Sequence, residues 1–155
     1  MKLPLTLLSV LLAASPAWAV DTDSSPAPAR QASVDHVARA RQAVASRDWS
    51  VAQRELQVAV REQPQNADVH NLLGYTYRKR ASPDMVKAYE HYNMALKINP
   101  DHKGAHEYIG EAYLQDKRLP DAEQHLAALE RICGGTSCEE YQDLAKAIAE
   151  YKGKN

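Results

Sequence analysis

Residues 133 to 138 read CGGTSC and hold the only two cysteines of the chain; six histidines are spread through the remainder. Paired cysteines can act as a covalent staple, a dithiol redox couple or half of a metal site. The redox reading lacks the two-residue CxxC spacing at a helix start that lowers one thiol's pKa. The metal reading needs two more ligands, and His102 and His106, four residues apart, can place two imidazoles on one helical face. Against it, His36, His70 and His106 recur at equivalent places, which reads as amphipathic packing. No HExxH, GxSxG or GxxxxGK[ST] motif occurs, so zinc-protease, serine-hydrolase and phosphate-loop chemistry have no anchor. Glu139 and Glu140 read as solvated charge favourable to a helix start rather than as an acid/base pair. No enzyme activity, cofactor or resident metal is expected.

The N-terminus bears on which cysteine chemistry applies. MKLPLTLLSVLLAASPAWAVD carries one cation at Lys2, an apolar run from Leu3 to Ala14, and Ala17 and Ala19 flanking Trp18. That is the layout of a secretory signal over residues 1 to 19, with a run too short for the roughly 20 residues a membrane span needs. No cysteine follows the expected cleavage point, so a lipoprotein is not expected. An exported, periplasmic bacterial protein with no stable membrane insertion after cleavage is the expectation, and export favours disulfide formation.

The formal charge is −1, or −2 once Lys2 leaves with the signal. The signs are interspersed, with none of the basic stripe that nucleic-acid binding requires. Residues 20 to 32, VDTDSSPAPARQA, are rich in Pro, Ser and Ala without periodicity and read as a flexible leader.

From about residue 33 the chain repeats. HNLLGYTY (residues 70 to 77) and HEYIGEAY (residues 106 to 113) share His, a large aliphatic, Gly and Tyr at the same spacing. Three segments carry apolar residues spaced four and three, the last two of them following these stretches: Ala52, Leu56, Ala59; Ala88, Tyr92, Ala95; Ala122, Leu126, Leu129. Such spacing places all three side chains on one helical face. Pro64, Pro100 and Gly134 stand just past these segments, where helices stop. Helices are expected near residues 33–46, 49–62, 67–80, 83–97, 103–116, 120–132 and 139–152. Ser82 is expected to cap the fourth, with Pro83 at its first position.

This pattern resembles the tetratricopeptide repeat family. Gly74 and Gly110 match the family's small residue where paired helices approach, Ala40 fills that place in the first repeat, and Tyr77 and Tyr113 match its aromatic. The resemblance implies an all-α solenoid of three helix pairs, over about 33–66, 67–102 and 103–136. The amphipathic Tyr141, Leu144, Ala145, Ile148 pattern then reads as a C-terminal capping helix over 139–152. A Cys133–Cys138 disulfide would staple this helix to the preceding one, adding about 2 kcal/mol for a loop of roughly six residues.

The resemblance also implies that the first helix of each repeat lines a groove for a protein or peptide partner. The positions that match are Val34, Val37, Arg41 and Val44; Asp68, Asn71, Tyr75 and Arg78; and Glu107, Tyr108 and Glu111. Tyr75 and Tyr108 suit the role of anchors. Glu107 and Glu111 disfavour an anionic ligand, so a clamp for a C-terminal carboxylate is not expected. A non-enzymatic scaffold or adaptor is the expected function. A self-associating homo-oligomeric module, or a thiol- or metal-handling protein using Cys133 and Cys138, are the alternatives.

Overall fold

The computed structural model describes residues 35–154. The expected signal (1–19), the leader (20–32) and Val34 lie outside them. The described residues form seven helices and no strand: α1 (His36–Ala45), α2 (Trp49–Glu62), α3 (Ala67–Lys79), α4 (Met85–Ile98), α5 (Lys103–Gln115), α6 (Leu119–Cys133) and α7 (Glu139–Lys154). The starts follow from local chemistry. Asp35, Asp48, Asn66 and Asp84 each accept, through a side-chain oxygen, the backbone N–H three residues on, satisfying donors that the first turn leaves free.

One backbone bond recurs at the turn inside every pair. The N–H of Asp48 donates to the carbonyl of Ala43 at 2.8 Å, Asp84 to Tyr77 at 3.0 Å, and Arg118 to Tyr113 at 2.8 Å. The two extra residues of the second turn are absorbed before this bond closes, which corrects the expected start of the fourth helix. Asp84, not Ser82, is the N-cap, and α4 begins at Met85 rather than 83. The shorter turns of the first and third pairs place Arg47 and Lys117 at φ of 59° and 58°, left-handed backbone that is costly for any residue with a Cβ.

The apolar faces meet in two clusters. Ala40, Leu56, Ala59, Val69, Leu73, Tyr77, Ala88, Tyr92, Ile109 and Ala112 form the first; Leu114, Ala122, Leu129, Leu144 and Ile148 form the second. The second exists because α7 lies against α5 and α6. Burying Leu144 and Ile148 contributes about 1.5–3 kcal/mol each. Gly74 is set against its paired helix, where a Cβ would meet the Tyr92 ring at 2.7 Å; Gly110 is set against α7, where a Cβ would meet Leu144 at 2.6 Å. Gly110 thus also makes room for α7, a neighbour that the repeat pattern did not assign to it.

Cys133 and Cys138 are joined as a disulfide, with sulfurs 2.06 Å apart. Gly134, at φ 66°, ends α6 in the left-handed conformation and Gly135 follows at φ 142°, so the chain reverses over two residues that carry no Cβ. Among the described residues, no helix is long and apolar enough to cross a membrane.

Candidate partner-binding groove

The repeats bring first helices α1, α3 and α5 side by side, and residues about 33 positions apart meet there. Tyr75 of α3 and Tyr108 of α5 stand ring to ring, centroids 4.8 Å apart and planes tilted by 41°. Trp49, at the start of α2, meets the other side of Tyr75 edge-on at 6.0 Å. All three rings are half-buried, leaving a continuous aromatic strip that a partner's side chains can contact. Burial raises both phenols, Tyr108 to about 12, so both stay neutral donors at physiological pH.

Beneath the strip lies a buried cation. The Arg78 side chain is 1% exposed and its Nη2 donates to Glu111 at 2.5 Å. Its Nε donates to the Tyr92 hydroxyl at 3.3 Å, and its guanidinium stands 5.6 and 5.9 Å from the Tyr75 and Tyr108 ring centres. Burial works against this charge, but Tyr92 and Glu111 outweigh it and hold the guanidinium pKa above its ordinary value. Arg78 was expected to face a partner from the groove wall; it supports the tyrosines from below instead. The reason is that Tyr92 on α4 and Glu111 on α5 offer partners where water would otherwise be required.

Glu107 departs from expectation in the same way. It is buried, and burial first, then Glu111, Asp143 and Glu140, raise its carboxyl to about 8, only partly countered by Arg78. It is therefore largely protonated at neutral pH, and Glu111 is paired. The predicted repulsion of anions by these two residues is correspondingly weakened. Asn71 is also buried, and its Oδ1, itself closed off from solvent, makes no hydrogen bond among the described residues.

The remaining expected residues divide. Arg41 and Asp68 pair at 3.6 Å, and Asp68 also takes His102 Nε2 at 2.9 Å, a polar chain across the mouths of α1, α3 and α5. Val44 lines a hollow of about 390 Å³ with Ala45, Arg47, Trp49, Tyr75 and Lys79. Val37 packs instead against the first core cluster. Trp49 and Lys79, whose Nζ stands 5.6 Å from the Tyr75 ring centre, were missed. The one signal for Trp49 was a large aromatic at the solvent end of a turn, immediately after the capping Asp48.

The histidines also separate. His102 and His106 do not act together: His102 caps α5, its Nδ1 accepting the Ala105 N–H at 3.1 Å, while His106 turns to His125. Cys133, Cys138 and Glu140 bring ligand atoms within 4.8 Å of one another, with both sulfurs engaged in the disulfide.

The sequence pattern of the tetratricopeptide repeat family matches residues 37–103 and, overlapping them, 87–136, more than half of the chain. The chain belongs to that family, whose repeats generally mediate protein–protein interaction. No curated protein matches it significantly.

Proposed function

We propose that this tetratricopeptide repeat protein is an exported, non-enzymatic scaffold or adaptor, acting in the bacterial periplasm, that holds a protein segment in the groove of α1, α3 and α5. The observation that carries the reading is the Trp49, Tyr75, Tyr108 strip over the buried Arg78–Glu111 pair. Aromatic rings backed by a fixed cation present large area at small rotamer cost, the usual makeup of an interface hot spot. The apolar start and signal-like layout of residues 1 to 19 support export.

The test is affinity capture from periplasmic extract with the wild-type chain and a Tyr75→Ala, Tyr108→Ala variant. The variant is expected to retain its helix content and to lose about 1–3 kcal/mol of partner affinity. A variant of exposed α4 residues, Glu90→Ala with Lys97→Ala, is expected to bind as wild type. Full retention by the tyrosine variant together with loss by the α4 variant places recognition on the opposite face.

A further inference from the structure

Each repeat carries a histidine near the start of its first helix, and each faces a ligand-type side chain on the second. In the third repeat the Nδ1 atoms of His106 and His125 stand 2.8 Å apart; in the second, those of His70 and His91 stand 3.1 Å apart. In the first repeat Glu55 takes the second histidine's place, 2.6 Å from His36 Nδ1. The distal nitrogens are also alike: His106 Nε2 lies 2.9 Å from the carbonyl of Pro100, and His70 Nε2 lies 3.0 Å from that of Pro64. A carbonyl only accepts, so Nε2 carries the proton in both rings and the Nδ1 lone pair of each is turned toward its partner histidine.

We propose that the facing Nδ1 atoms of His106 and His125, and likewise those of His70 and His91, each chelate one divalent ion of the borderline class favoured by imidazole: Zn²⁺, Ni²⁺ or Cu²⁺. Two nitrogens bound about 2.0–2.1 Å from one ion at angles between square and tetrahedral stand about 2.8–3.4 Å apart, the range in which both pairs fall. A histidine ligand ordinarily donates its other N–H to a carbonyl or carboxylate, which fixes tautomer and ring; Pro100 and Pro64 fill that place. The second ring of each pair is oriented by stacking, His125 on Tyr113 at 5.6 Å and His91 on Tyr77 at 5.6 Å. Charged groups of both signs surround the pairs: Asp121 acts on His125, Arg131 and Asp101 on His106, and Glu90 and Lys87 on His91. Water completes the coordination shell. Binding shifts the second ring from its Nδ1–H to its Nε2–H tautomer: Nδ1 gives its proton to water and Nε2 takes one up, so both rings stay neutral and no net proton is released.

The probe is Zn²⁺, titrated calorimetrically into the full chain with the disulfide intact. Two equivalents are expected. His125→Gln and His91→Gln each leave one, both together leave none, and His102→Gln still binds two. Long-range ¹H–¹⁵N spectra of the wild-type imidazoles are expected to report zinc at Nδ1 of all four paired rings, a readout that stands even where a variant fails to fold. Absence of saturable binding, undiminished binding by the folded double variant, or zinc at Nε2 overturns the proposal; zinc at one pair only overturns the other site.

Discussion

Gly110 of α5 and Leu144 of α7 pack so closely that a Cβ on the glycine would stand 2.6 Å from the leucine Cδ2; Gly74 stands in the same relation to the ring of Tyr92, at 2.7 Å. The neighbours differ in how far they can yield. Leu144 presents the tip of a flexible side chain, whereas Tyr92 is held through its hydroxyl by Arg78, and the carbonyl of Ala88 closes the same space at 3.0 Å. Alanine in a helix gains up to about 1 kcal/mol over glycine, against an overpacking cost of about 1–3 kcal/mol. Gly74→Ala is therefore expected to destabilise the fold by more than Gly110→Ala, and denaturant unfolding of the two variants reads the difference.

Glu107→Gln is expected to stabilise the protein, and more so at high pH. The folded carboxyl has its pKa raised to about 8, from an ordinary value of 4.5. Below the lower value both states hold the proton and no penalty arises. As pH rises from there, the unfolded chain releases its proton first, and stability falls until the folded carboxyl has titrated too. Glutamine removes that dependence. With screening at the groove mouth, the gain is on the order of 1–2 kcal/mol above pH 8 and absent at pH 4. Melting curves at both pH values check it.

The histidine pairs predict the opposite slope on the acid side. His125, chiefly through burial and then through His106, has its pKa lowered from 6.5 to about 4. Its contribution is full above pH 6.5 and is lost as pH falls toward 4, because the unfolded chain takes up the proton first. His125→Gln is expected to flatten the stability profile between these values. A profile as steep as wild type there would assign the acid sensitivity to other groups.

A Cys133→Ala, Cys138→Ala variant is expected to lose about 2 kcal/mol, the entropy of a closed loop of roughly six residues. The loss should appear first as hydrogen-exchange deprotection of α7, the helix next to the loop, with α2 to α4 little changed. Uniform deprotection would mean that α7 does not open separately.

The local readings and the tertiary ones had different sources. The periods of Ala52, Leu56, Ala59 and of their counterparts are helical in themselves, and Pro64, Pro100 and Gly134 stop helices by covalent geometry. One chain segment therefore carried the all-α repeat architecture. The cysteines likewise lie close enough in sequence that two helix ends and two glycines brought them together. Side-chain partners did not follow from such spacing. Arg78 has the same helical position whether it faces a groove or a core, and Tyr92 on α4 with Glu111 on α5 decided in favour of burial. Glu107 sits on an amphipathic helix like any surface acid, and the packing around it, with Asp143 and Glu140 of α7 nearby, raised its pKa. The recurrence of His36, His70 and His106 was visible along the chain, but their partners Glu55, His91 and His125 stand 19, 21 and 19 residues on. The longer second turn hides that register, and only helices packed in three dimensions restore it.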